Sequence, residues 1–255
     1  MMPGAETSSL RTRRLLGLEF AEMDVTASAE WISRRSPDAP FGYVVTPNAD
    51  HLVRLSRDAS LLPLYQGAML RLLDSRVVAR AALAIGLQPP LVTTGSDLTG
   101  LLLSKHLAAE ERVTIIGLRA GHLADLVERT GIAPPAHYDP PMGFDRNPDE
   151  MRRAVQFVLD HPARLVFLAV GSPRQERLAA AIVATGEAHG TGLCIGASLE
   201  FLAGAVKRAP GFMQRFGIEW LHRMLSDPRR LLRRYLIDNP PIFWLLLRER
   251  LKGRS

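Results

Sequence analysis

The chain has one cysteine in 255 residues, Cys194, so it has no intramolecular disulfide and no cysteine-based zinc site. A lone thiol also fits a reducing compartment. No uninterrupted apolar run approaches the roughly 20 residues that span a bilayer. The opening MMPGAETSSLRTRR has no apolar core after its charges, so no secretory signal is expected. The seven histidines show no HExxH or other close ligand spacing, and no bound metal is expected. There is no GxSxG elbow for a serine hydrolase and no GxxxxGK[ST] phosphate loop. Gly117-Leu118-Arg119-Ala120-Gly121 lacks the spacing of a dinucleotide fingerprint, which leaves a nicotinamide-dependent enzyme little support. Internal repeats and low-complexity segments are missing too.

What is present is a core-forming composition, 47% hydrophobic, enough for one large domain or one domain plus an appendage. The formal net charge of +6 is unevenly placed. Residues 1–205 hold 20 Lys+Arg against 22 Asp+Glu, whereas residues 206–255 hold 12 against 4. The reading is therefore an α/β domain over 1–205 followed by a basic helical appendage over 206–255, facing an anionic partner.

Short β-branched runs alternate with helical patterns. Strands are predicted at Tyr43–Thr46, Val113–Ile116, Leu165–Val170 and Gly192–Ile195, and helices at Ala49–Asp58, Asp97–Ala109, Gly121–Thr130 and Asp149–Leu159. Such alternation predicts a mostly parallel, Rossmann-like sheet covered by helices on both faces. The proline-rich stretch 132–143 must be non-helical, and Asn239-Pro240-Pro241 breaks the basic tail.

In such sheets ligands bind beyond the carboxyl ends of the strands. Thr46-Pro47-Asn48-Ala49-Asp50-His51-Leu52 places small polar groups at one such end. Gly171-Ser172-Pro173-Arg174-Gln175-Glu176 follows another strand, where glycine admits a ligand to the backbone and the next helix offers free N–H groups to an anion. Arg174 and Gln175 add donors for a phosphate or sugar hydroxyls; an ordinary capped βα turn explains the same residues. Asp74 is a charge in an apolar surround, suited to general-base work; helix capping, or pairing with Arg71 or Arg76, is the plainer explanation. Asp97 opens a helix and is explained by capping.

In the tail, Arg229, Arg230, Arg233 and Arg234 recur at helical spacing among Leu231, Leu232 and Tyr235; beyond the proline break, Ile242–Leu247 precedes Arg248, Arg250, Lys252 and Arg254. Aromatic and apolar residues beside a cationic face describe a helix lying in a membrane interface. A terminal helix pair docked on the core or on a second subunit is the alternative. Nucleic acid is not expected, because no recognition motif accompanies the charge.

In order, TPNADHL, LLDSRVV, TTGSDL, AVGSPRQE, KRAP, GIEWLHRM and SDPRRLLRR resemble the WecG/TagA/CpsF family of bacterial glycosyltransferases, from about Leu18 to Tyr235. The resemblance implies an inverting, metal-independent enzyme without a cofactor. It would move a sugar from a UDP-sugar to a polyprenyl-diphosphate-linked sugar, in cell-surface polysaccharide or glycolipid synthesis. It would work in the cytoplasm, peripheral at the inner face of the membrane, with self-association. By matching motif, Asp74 would be the base on the acceptor hydroxyl, and Thr46 and Asn48 would lie near the reacting centre. Asp97 joins the expected substrate-binding set. Gly171, Arg174, Gln175 and Glu176 would border the nucleotide-sugar pocket. Arg208, Arg223, Arg230 and Arg233 would hold diphosphate.

The chain departs from the family pattern at Ser75 and Leu118, where glycine is usual, at Val92, where an arginine is usual, and in the run Cys194–Glu200. Arg76 or Arg80 is the expected substitute for that arginine. A relative that binds lipid-linked sugar and scaffolds an assembly complex, without catalysis, is the alternative those departures suggest.

Overall fold

The computed structural model describes residues 10–205 and 238–252. Eight strands alternate with ten helices in this part of the chain. The N-terminal strands β1 (Thr12–Leu15) and β2 (Leu18–Ala21) form an antiparallel hairpin turned by Leu16-Gly17, both at positive φ. The remaining strands are β3 (Gly42–Val45), β4 (Leu70–Arg71), β5 (Thr114–Gly117), β6 (Ala136–Tyr138), β7 (Leu165–Ala169) and β8 (Thr191–Cys194). They build one six-stranded sheet in the order β4-β3-β8-β7-β5-β6, parallel throughout. The expected α/β class is what the chain adopts; the four strands read in the sequence are β3, β5, β7 and β8, each with limits within one residue of those expected.

The period of two along each strand sorts its side chains between two cores. Val45, Ile116, Val166, Leu168 and Cys194 enter one, and Val44, Ile115, Leu165, Phe167 and Leu193 the other. On the first face lie α2 (Ala49–Arg57), α3 (Leu62–Gln66), α4 (Arg76–Ala84), α7 (Pro148–Asp160) and α8 (Arg174–Thr185), which contribute Leu52, Tyr65, Val78, Val158 and Leu178. On the second lie α1 (Val25–Ser33), α5 (Gly95–Lys105), α6 (Ala120–Thr130) and α9 (Ser198–Leu202), which contribute Ile32, Leu98, Leu126 and Leu199. The last helix, α10 (Pro241–Lys252), lies against α2 and α4, burying Ile242 and Leu246 in the first core. Glu249 accepts a hydrogen bond from Leu16 N at 2.6 Å, tying α10 to the hairpin turn.

Helix starts follow side-chain chemistry. Asn48 caps α2, Ser75 caps α4, Thr94 caps α5 and Asn147 caps α7, each accepting N–H groups of the first turn. This topology positions the site: β3 and β7 are followed by helices on the first face, while their neighbour β8 is followed by one on the second. Crevices open at the carboxyl edge where the directions part.

Candidate functional site

At that edge, β3 and β4 are joined beyond their ends: Leu72 N donates to Val45 O at 3.0 Å and Asp74 N to Pro47 O at 2.9 Å. Asp74 therefore emerges beside Thr46 and Pro47. Its carboxylate accepts Gly95 N, the first residue of α5, at 3.1 Å through Oδ2. Arg71 is turned elsewhere; its guanidinium donates to the carbonyls of Glu19, Tyr65, Gln66 and Ala68. Asp74 is half-buried and so partly desolvated.

Gly95 is the hub of this corner. A Cβ there would stand 3.1 Å from Thr46 Oγ1, 3.3 Å from Ser198 Oγ and 3.6 Å from Asp74 Oδ2. Glycine is thus what leaves these three groups facing one small space. Thr46, buried, donates to Cys194 O at 3.3 Å, and Ser198, buried, donates to Ile195 O at 2.7 Å. Asn48 spends its carbonyl oxygen on capping, accepting Asp50 N and His51 N. Its amide nitrogen makes no hydrogen bond among the described residues and remains a donor for a ligand.

Arg76 reaches Asp97 at 3.5 Å. Asp97 in turn accepts Thr94 Oγ1 at 2.7 Å, while its N–H donates back to that oxygen at 3.1 Å. Capping accounts for Asp97, and it also holds a guanidinium at the start of α5, beside Asp74. Arg80, the other candidate substitute, is exposed on α4.

The β7–α8 loop forms a second group. Gly171 has φ +77, and a Cβ there would lie 3.2 Å from Arg174 Nη2. Arg174, half-buried, donates to Met142 Sδ at 2.7 Å. Ser172 accepts Arg54 Nη1 of α2 at 3.2 Å and shares a hydrogen bond with Tyr65 OH at 3.0 Å. Burial pushes the Tyr65 hydroxyl well up, which keeps it a neutral donor or acceptor. Gln175 and Glu176 lie behind this loop, 2% and 1% exposed.

Of the residues singled out in the sequence, Asp74, Thr46, Asn48 and Asp97 come together at the ends of β3 and β4, with Gly171 and Arg174 across the edge at the end of β7. Gln175 and Glu176 line the interior beneath. Arg208, Arg223, Arg230 and Arg233 lie outside the described residues. Ser198, Gly95 and Arg54 were missed as site residues. Ser198 carries the signal that marked Thr46, a small hydroxyl just past a strand end. Arg54 gave no local signal, since only the fold brings it to Ser172.

The departures have structural counterparts. Ser75 caps α4. Val92 pairs with Leu73 in a parallel bridge, so the position lies directly beside Asp74. Leu118 takes φ +66, with its carbonyl and that of Gly117 both meeting His137 Nε2, at 2.8 and 3.0 Å. Two carbonyl partners fix that nitrogen as the protonated one. Among the described residues no group of three His, Cys, Asp or Glu could hold a metal ion.

The family described as Glycosyl transferase WecG/TagA/CpsF matches residues 13–255. A curated relative from Bacillus spizizenii, N-acetylglucosaminyldiphosphoundecaprenol N-acetyl-beta-D-mannosaminyltransferase, is 26% identical over 234 residues, covering 87% of this chain and 86% of its own length.

Proposed function

Because the chain belongs to the WecG/TagA/CpsF family of glycosyltransferases, we propose that it moves a sugar from a UDP-sugar to a sugar carried on polyprenyl diphosphate, in cell-envelope polysaccharide or glycolipid assembly. The relative named above acts on a lipid-diphosphate acceptor, which supports an acceptor of that class. The observation that carries the reading is the corner where Asp74, Thr46 and Ser198 face one space at the carboxyl edge of the sheet.

Transfer asks for a base on the attacking hydroxyl and stabilisation of the departing diphosphate. Asp74 takes the acceptor proton, with the Gly95 N–H orienting its carboxylate. Thr46, Ser198 and the free amide of Asn48 orient sugar hydroxyls. On the leaving side Arg174 and the N-terminus of α8 face the diphosphate, and the tail arginines Arg208, Arg223, Arg230 and Arg233 join them. Guanidinium groups supply charge where a divalent ion would otherwise serve, which fits a metal-independent mechanism. A base placed opposite the leaving group gives inversion in a single displacement.

The direct test is a panel of UDP-sugars offered with a short-chain lipid-diphosphate sugar. One donor is expected to be consumed with formation of a glycosylated lipid; no transfer from any donor would refute the reading and favour a scaffold. Arg76→Ala is expected to lower turnover at least about tenfold if Arg76 supplies the charge missing at Val92; an unchanged rate would remove Arg76 from the site.

The appendage would bring the enzyme to its lipid. No helix among the described residues is long and apolar enough to cross a membrane. Yet α10 leaves Phe243 (53%), Trp244 (63%), Leu247 and Leu251 exposed while its other side is docked. Such a face suits an interfacial contact at the cytoplasmic leaflet. Replacing Phe243, Trp244 and Leu247 together by serine is expected to weaken sedimentation with anionic vesicles at least about tenfold without changing the fold. Undiminished sedimentation would show that α10 is not the contact.

A further inference from the structure

Glu176 is the least accessible ionisable carboxyl in the neighbourhood of the site, 1% exposed at the first turn of α8. It cannot touch a sugar from there. What it touches is Gln175, whose Nε2 donates to Glu176 Oε1 at 2.9 Å. The other end of the Gln175 amide, Oε1, accepts Gly196 N at 2.9 Å. Gly196, at φ +55, begins the turn that carries Ser198 towards Asp74.

An amide side chain has two faces of nearly equal shape and opposite hydrogen-bonding sense. Were Gln175 turned over, its NH2 group would meet the Gly196 N–H and both donors would be stranded in the interior, each costing about 1–3 kcal/mol. A carboxyl oxygen beside the NH2 end decides the orientation. On its other side Glu176 lies near Ser172, which bonds Arg54 and Tyr65. Among the described residues Oε2 makes no hydrogen bond of standard geometry, yet Ser172 lies close enough to favour the ionised form.

We infer that Glu176 is a positioning residue: by orienting the Gln175 amide it couples the β7–α8 loop, which faces the donor, to the β8–α9 turn, which faces the acceptor hydroxyl. The groups around it on other elements are Arg54, Tyr65, Tyr43 and Cys194. Burial holds the carboxyl above its ordinary range, with Gln175, its own backbone N–H, Ser172 and Arg54 pulling the other way. The acid is thus inclined to keep its proton, and glutamine is its neutral counterpart.

The experiment combines amide exchange of the segment Ile195–Leu199 with transfer kinetics in Glu176→Ala, Glu176→Gln, Gln175→Ala and the double alanine variant. Glu176→Ala is expected to speed exchange in that segment about tenfold and to lower kcat about tenfold, the worth of one hydrogen bond, with donor KM within about threefold. Glu176→Gln should restore most of both. In the Gln175→Ala background, Glu176→Ala should add less than about twofold, since the pair acts as one unit. Additive losses, unchanged exchange, or a glutamine variant as impaired as alanine would overturn the inference, the last by showing that negative charge is required. If the alanine variant does not fold, Glu176→Asp, one methylene short of Gln175, serves instead. The kinetic arm rests on the transferase reading but the exchange arm does not. A wild-type chain that transfers nothing would therefore sink that reading and leave exchange to decide about Glu176.

Discussion

Asp74→Asn is expected to lower the transfer rate about 10²–10⁴-fold, the usual worth of a positioned base, while donor binding measured by calorimetry stays near wild type. Asparagine has the same shape and can still accept the Gly95 N–H through its oxygen. The variant therefore removes proton acceptance and leaves the corner standing. Binding and catalysis should part company, because the role proposed for Asp74 is on the acceptor hydroxyl and not on the nucleotide. A variant with near-normal turnover would take Asp74 out of the chemistry. One that lost donor binding as well would move it to the donor pocket. Either result is readable from a single progress curve and one titration.

The largest effect on stability is expected at Gly190, far from any chemistry. Its φ is +91, and a Cβ there would stand 2.3 Å from Ala163 O and 3.0 Å from Arg164 O. The strand entrance cannot yield: Gly190 N donates to Ala39 O at 2.9 Å, Gly42 N to Gly190 O at 3.3 Å and Thr191 N to Arg164 O at 2.8 Å. Backbone strain and overpacking of this kind each cost about 1–3 kcal/mol. Together they remove much of the roughly 5–15 kcal/mol that holds a domain folded. Gly190→Ala should therefore shift the urea midpoint far down or fail to accumulate as folded protein. Activity would go with it, because the far end of β8 carries Cys194, the partner of Thr46, and leads on to Ser198. A melting curve close to wild type would show that the loop can move aside.

Acidity offers a gentler probe. The folded state holds Glu176 and Glu249 above the ordinary glutamate value of 4.5, burial being the main cause for both. In the unfolded chain those protons leave near the ordinary value, so between it and the raised folded values the native state binds more protons. Stability from these two groups is full below that range and declines as pH rises through it. Glu176→Gln should flatten the decline above the ordinary glutamate value in urea melts, and an unaltered slope would assign it elsewhere.

Much of this was legible from residues. The strand at Leu165–Ala169 announced itself by an unbroken apolar run, because both its faces are covered. The α7 start was written in Asn147-Pro148-Asp149-Glu150. By contrast β4 has two residues and β6 has three, too short for any alternation to emerge, and β6 lies within the proline-rich stretch. Leu16-Gly17 turns a hairpin with leucine where glycine or asparagine would have been the signal. Thr46 and Asp74 were visible as polar groups in apolar settings. That they converge on Gly95 was not, because three separate strand–helix junctions must be superposed before the corner exists. The inward placement of Gln175 and Glu176 was equally hidden: a helix start is commonly exposed, and only the packing of α8 over β3, β7 and β8 closes it off.

The bond from Leu16 to Glu249 joins residues 233 positions apart. During synthesis the first hairpin therefore leaves the ribosome long before the helix that completes its packing exists. Leu15, Leu18 and Phe20 must wait, with α2 and α4, for Ile242 and Leu246 to arrive. Closure of so long a loop comes late, so a message truncated near its end would yield a nascent chain with greasy ground still uncovered. Such a product is one that chaperones and proteases, more than the sheet itself, would decide the fate of.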